Sequence, residues 1–117
     1  MSYKIYEYKN CGTCKKALKF LDQKKIPYKK IAIRETPPTK TELKKMLSFV
    51  EGDIKKLFNT SGVDYRELKI KDKLPKLSDS KAIDLLASNG NLIKRPFMIS
   101  SNKGWVGFKE DIWKKEL

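Results

Sequence analysis

The stretch YKIYEYKNCGTCKKALKFL, residues 3–21, carries the reading of the fold. Tyr3 to Tyr8 alternates as a strand does, whereas Cys14, Ala17, Leu18 and Leu21 recur at helical spacing. The tetrapeptide Cys11-Gly12-Thr13-Cys14 therefore sits where a strand hands over to a helix predicted from Cys14 to Lys24. The chain has 2 cysteines and both lie in this tetrapeptide, so thiol chemistry leads the functional reading. Unpaired amides and the macrodipole at a helix N-terminus favour anions, and Lys15 and Lys16 add positive charge, which would stabilise a thiolate. On this reading Cys11 is the nucleophile and Cys14, one turn on, resolves a mixed disulfide. Gly12 leaves room for a partner backbone to approach, and Thr13 is expected to cap the helix.

Other readings of the same residues remain open. Two buried structural thiols fit the pair as well. A zinc half-site would need a second chain to complete it, because the sequence has no histidine and no further cysteine. A structural disulfide across so short a loop would remove little unfolded-chain entropy.

A length of 117 residues predicts one domain, 1–117, with a real core. The absence of histidine excludes an imidazole base and the usual hydrolytic triads. The net charge is +13, but of 27 basic residues only Arg34, Arg66 and Arg95 are arginine. Direct base readout leans on arginine forks, so direct nucleic-acid binding is not expected. Lysines such as Lys40, Lys44, Lys55 and Lys81 read as outward helix faces, a solvated basic surface that attracts anionic substrates or acidic protein patches. No apolar run reaches membrane-spanning length and no secretory signal is evident, so the expectation is a cytoplasmic protein without a membrane partner.

Along the chain, the strand 3–8, the helix 14–24 and a second alternating strand, Tyr28 to Ile33, form a βαβ unit. After Pro37-Pro38, Thr39-Lys40-Thr41-Glu42 reads as a capping box opening a helix with an apolar face of Leu43, Met46, Leu47 and Val50, which Gly52 ends. Short helical pieces are expected around Asp53 to Phe58 and Tyr65 to Leu68, and a longer helix from Ser78 to Ser88 that stops at Asn89-Gly90. Phe97 to Ser100 and Trp105 to Phe108 form a predicted hairpin, followed by a terminal helix carrying Ile112 and Trp113 inward. The order βαβ, helical insertion, ββα predicts an α/β, thioredoxin-like fold with a mixed four-stranded sheet, its core in about 1–36 and 91–117 and its insertion in about 37–90.

Three features in order, CGTC after the first strand, Lys94-Arg95-Pro96 before the third, and Gly107-Phe108-Lys109-Glu110 before the last helix, resemble the arsenate reductase (ArsC)/Spx family of glutaredoxin-related proteins. Asn59-Thr60-Ser61-Gly62 and Tyr65-Arg66-Glu67-Leu68 are similar to its YffB-like branch. The resemblance implies a cis Pro96 facing the cysteine loop, with Arg95 near Cys11 to bind an oxyanion or a carboxylate. Read locally, Lys94-Arg95 is equally a solvated pair before a turn proline.

Arsenate reductases of this family use three arginines around the cysteine, and only Arg95 has a counterpart here, with Phe58 and Phe108 where the others would be. Each lost charge-assisted hydrogen bond is worth about 1.5–3 kcal/mol, so arsenate turnover would be weak unless Lys109 or Arg66 compensates. Spx-like regulators carry the CxxC pair as a switch and bind the C-terminal domain of the RNA polymerase α subunit, with a contact glycine that Gly52 resembles in position. Gly52 also reads simply as a helix C-cap.

The expected function is a thiol–disulfide oxidoreductase acting through Cys11, Cys14 and Arg95. No cofactor is bound in this reading, and glutathione, glutaredoxin or thioredoxin donates electrons. The alternatives are an Spx-like polymerase-binding regulator and a weak arsenate reductase.

Overall fold

The computed structural model describes residues 3–117. The first strand, β1 (Tyr3–Glu7), feeds α1 (Gly12–Gln23) and returns as β2 (Tyr28–Ala32), which pairs with β1 in parallel from Tyr3↔Tyr28 to Glu7↔Ala32. A parallel partner requires a crossover, and α1 supplies it. The chain then runs through α2 (Lys40–Phe49), a 3₁₀ turn at Ile54–Leu57, α3 (Val63–Glu67), α4 (Ile70–Lys73), a 3₁₀ turn at Leu74–Lys76, α5 (Asp79–Ser88) and a 3₁₀ turn at Gly90–Leu92. It re-enters the sheet as β3 (Phe97–Ile99), turns into β4 (Gly104–Val106) and closes with α6 (Glu110–Glu116). The sheet order is β2-β1-β3-β4, with β3 antiparallel to both β1 and β4. This is the α/β, thioredoxin-like arrangement with a mixed four-stranded sheet. Residues 1 and 2 of the expected core segment lie outside the described residues.

Alternation along β1 divides the core between the two faces of the sheet. Ile5 packs with Ala17, Phe20, Leu21, Met98 and Trp113 on the side of α1 and α6. Tyr6 packs with Leu43, Met46, Ile83, Leu86 and Phe97 on the side of α2 and α5. The α2 start is a complete capping box: the Glu42 amide donates to Thr39 Oγ1 at 3.1 Å and the Thr39 amide donates to Glu42 Oε1 at 3.0 Å. Ser78 caps α5 in the simpler way, accepting from the Lys81 amide at 3.2 Å.

Several expectations are corrected. The first helix begins at Gly12, two residues early, because Cys11 rather than Thr13 is its N-cap. Thr13 lies inside the first turn. Ile112 is 39% exposed while Trp113 is fully buried, since neighbours on a helix point about 100° apart and one stripe cannot take both. The α4 turn carries no signal in the sequence: Ile70 alone among its residues is buried, too short a pattern to show periodicity. Among the described residues no helix is long and apolar enough to cross a membrane.

Candidate active site

Cys11 is the extended residue at the end of the β1–α1 turn, with φ −95° and ψ 114°. Its amide donates to the Tyr8 carbonyl at 3.0 Å and its carbonyl accepts from Lys15 at 3.1 Å. Its sulfur takes the place of the usual cap oxygen, accepting from the Cys14 amide at 3.3 Å. The cap, which orients the first turn, is thus the sulfur of the predicted nucleophile. Cys11 is half-buried, whereas Cys14 is buried and faces the core in line with Ala17 and Leu21. Both are free thiols in this structure.

Burial pushes the Cys14 thiol up to about 12, with a hydrogen bond to Cys11 adding to the effect. The Tyr8 backbone amide and the Arg95 charge work in the opposite direction and are outweighed. Cys14 therefore holds its proton tightly.

The Arg95-Pro96 peptide bond is cis, as the resemblance implies, and Pro96 is buried with its carbonyl accepting from the Gly107 amide at 2.8 Å. The antiparallel register Tyr6↔Phe97, continued by two residues, sets Arg95 opposite Tyr8. Its guanidinium carbon lies 5.0 Å from the Tyr8 ring centroid, and its Nη1 is buried without a hydrogen-bond partner.

A second guanidinium stands at the same ring, and the sequence reading missed it. Arg34 holds its guanidinium carbon 4.9 Å from the Tyr8 centroid. The turn after β2 carries it there: the parallel register, continued by one residue, sets Ile33 opposite Tyr8, the Ile33 amide donates to the Glu7 carbonyl at 2.9 Å, and Arg34 is the next residue, already in the turn. Asn10 donates to the Tyr8 hydroxyl at 3.1 Å. That hydrogen bond, helped by the two arginines, holds the phenol below its ordinary value. Register alone gives the Arg95–Tyr8 pairing, two residues past the end of the β1–β3 pairing, whereas Arg34 reaches the ring from the turn after β2 and leaves no such signal.

The remaining sequence candidates separate. Gly12 is exposed, with open space where a side chain would stand, and Thr13 and Lys15 are exposed beside it. Lys15 meets Cys11 through its backbone amide. Gly52 lies past the end of α2 with φ +79°, its amide donating to Leu47 at 2.9 Å, which is a helix-terminating glycine. Arg66 is exposed on α3, away from the sheet. Lys109 is the N-cap residue of α6 and lines a cavity of about 620 Å³ with Phe58, Lys94 and Trp105, a lining that includes neither cysteine nor Arg95. Phe58 is buried against Tyr65, and Phe108 meets Trp113 edge-on at 4.8 Å. Among the described residues no group of three or more Cys, Asp or Glu side chains comes together to hold a metal ion.

A dithiol at the N-terminus of the first helix, on a thioredoxin-like sheet whose third strand begins at a cis-proline, defines a class of thioredoxin-fold proteins with a CxxC site. The comparisons narrow the class. The ArsC family model matches residues 6–115. YusI of Bacillus subtilis strain 168 is 49% identical over 95% of this chain and 94% of its own length. The global transcriptional regulator Spx of Streptococcus pyogenes serotype M1 is 30% identical over 87% of this chain and 75% of its own. A possible arsenate reductase from Streptococcus mutans UA159 superposes with a TM-score of 0.90 at 38% identity, covering 98% of both chains. The YffB protein superposes at 0.84 with 29% identity, again over 98% of both. The chain belongs to the ArsC family.

Proposed function

We propose that the protein is a cytoplasmic thiol–disulfide oxidoreductase in which Cys11 attacks and Cys14 resolves. The Cys11 sulfur forms a bond to one sulfur of a substrate disulfide, whose S–S bond breaks and whose other half leaves as a thiolate. The Cys14 sulfur, losing its proton, then attacks Cys11 and expels the second half. Two protein thiols are oxidised to one disulfide, and the substrate takes up two electrons and two protons as two thiols. Glutathione, glutaredoxin or thioredoxin restores the dithiol. Arg95 orients an anionic group of the substrate or of the donor.

The observation that carries this reading is the asymmetry of the pair. An accessible sulfur receives a helix amide at 3.3 Å, and a buried thiol one turn on is pushed up to about 12. Buried structural thiols would have no reason to differ in this way. The test is steady-state NADPH consumption through thioredoxin or glutathione coupling, with a model disulfide and arsenate offered in parallel. Turnover of the disulfide that disappears in Cys11→Ser is the expected result; a Cys11→Ser variant that keeps it overturns the proposal. Arsenate-dependent consumption as fast as disulfide reduction would instead assign an arsenate reductase.

A second reading, a redox-switched regulator that binds the RNA polymerase α subunit, is favoured by the likeness to Spx and by Gly52, which is exposed with open space around it. Retention of the C-terminal domain of the polymerase α chain, lost in Gly52→Arg but kept in Cys11→Ser, would support it.

A further inference from the structure

Tyr8 is a side chain at which the three strands around the site converge. β1 ends beside it, the turn after β2 delivers Arg34 from one side, and β3 delivers Arg95 from the other. Two guanidinium groups brought to one ring repel each other, and an aromatic face offsets that only in part. Arginines so placed normally share a carboxylate, yet among the described residues the salt bridges are Lys4 with Glu42, Lys40 with Asp84 and Lys114 with Glu110, and neither arginine takes part. Arg95 Nη1 is moreover shut off from water with no acceptor. A buried charged donor without a partner costs more than any other kind of unmade hydrogen bond, so the arrangement is complete only when an anion is present.

The ring that carries the arginines is also tied to both thiols. The Tyr8 carbonyl accepts from the Cys11 amide at 3.0 Å, and its backbone amide faces the Cys14 sulfur. The Arg95 charge also acts on the Cys14 thiol, so an anion held at the guanidinium pair is held near the cysteine pair. The backbone that bears Arg34, itself an exposed residue, is fixed by close packing: a side chain on Gly90 would overlap the Ile33 carbonyl and lie 3.1 Å from Arg34 Cα, so the turn leading to Arg95 lies directly against it.

We infer that Arg34 and Arg95, mounted on Tyr8, form a two-guanidinium seat for a carboxylate of the sulfur compound that reacts at Cys11, and that Arg34 is the residue that sets preference for carboxylate-bearing over neutral substrates. Arg34 adds a second positive charge and a second set of donors at the ring, which a lone Arg95 could not provide. The inference rests on the dithiol reading above and adds the chemistry of its substrate.

The experiment compares charged and neutral reagents of matched shape on the reduced full-length protein. Iodoacetate and iodoacetamide alkylate Cys11 with loss of iodide. 3,3′-Dithiodipropionate and its diamide oxidise the cysteine pair in a single turnover, with no other reductant. Rates are read by mass spectrometry for wild type, Arg34→Gln, and Lys81→Gln, which removes the same charge from an exposed site on α5. The expected result is that Arg34→Gln slows the carboxylate reagent of at least one pair by about 10-fold or more and leaves its amide unchanged, the loss of one charge-assisted contact, while Lys81→Gln changes neither. Equal slowing in Lys81→Gln, or unchanged charge preference in Arg34→Gln for both pairs, overturns the inference. If alkylation shows the Arg34-dependent preference but neither disulfide oxidises the pair, the seat stands and the oxidoreductase reading fails.

Discussion

The Cys14 amide donates to the Cys11 sulfur at 3.3 Å, so the N-cap bond of α1 and the orientation of its reactive sulfur are the same interaction. A cap satisfies an amide that has no carbonyl within the helix. Here the acceptor is a thiol, which bonds more strongly as a thiolate. Helix stability and sulfur chemistry are therefore coupled at one atom.

That coupling predicts opposite effects for two substitutions. Cys11→Ser supplies a stronger neutral cap and should leave stability equal or slightly higher while abolishing thiol chemistry. Cys11→Ala removes the acceptor and should cost about 0.5–2 kcal/mol. Urea denaturation of the reduced proteins separates them; equal stability of the two would mean that the sulfur contributes nothing as a cap.

Alkylation should be ordered. Cys14 is buried and its thiol is pushed up to about 12, so at neutral pH it stays protonated and shielded from reagents. Limited iodoacetamide treatment followed by peptide mapping should label Cys11 first and Cys14 only on unfolding. In Cys14→Ser, a mixed disulfide at Cys11 should persist, because the resolving sulfur is gone.

Glu42 ties α2 to the sheet and should make stability depend on pH. Burial by itself would raise its carboxyl, but the Tyr6 hydroxyl at 2.6 Å, the Thr39 amide and Lys4 outweigh burial and hold it below the usual carboxylate range. A lowered carboxyl stabilises the fold above its unfolded value, and that contribution is lost as pH falls through the folded one. Glu42→Gln should cost about 1.5–3 kcal/mol at pH 7 and less as the solution is acidified towards pH 3. Tyr6 is shifted the other way, raised by burial and by the Glu42 charge, so its contribution is complete below 10.0 and is lost as pH rises beyond it. Thermal melts of wild type and variant across both ranges test the pair; parallel curves would remove Glu42 from the account.

Gly90→Ala should destabilise the protein by about 2–3 kcal/mol, because the added methyl group meets the Ile33 backbone rather than a movable side chain. The same variant should reduce the charge discrimination attributed to Arg34, whose Cα lies 3.1 Å from that methyl position. Chemical denaturation and the alkylation pair on the folded variant measure the two effects.

Local chemistry made much of the molecule legible from its residues. The strand-to-helix placement of CGTC, the Thr39 capping box and the helix expected from Ser78 to Ser88 depend on neighbours within four positions, and each expectation there matches the structure to within a residue or two. Errors arose where a local pattern had two solutions. Thr13 reads as the cap of α1 from its own segment, but the Cys11 sulfur accepts the Cys14 amide and the helix starts at Gly12. Ile112 and Trp113 could each face inward, and the larger ring took the space.

The βαβ–ββα order and the pairing of two thiols at a helix start follow from residue pattern alone, because periodicity, caps and turn residues act over a few positions along the chain. That Arg34 and Arg95 meet at Tyr8 follows only from the folded sheet. Their meeting depends on the registers of β2 and β3 against β1, and on the packing of Gly90 against Ile33, none of which leaves a signal in any single segment. Strand register is set by burial across the whole sheet, and residues 61 positions apart come together only once that burial is complete.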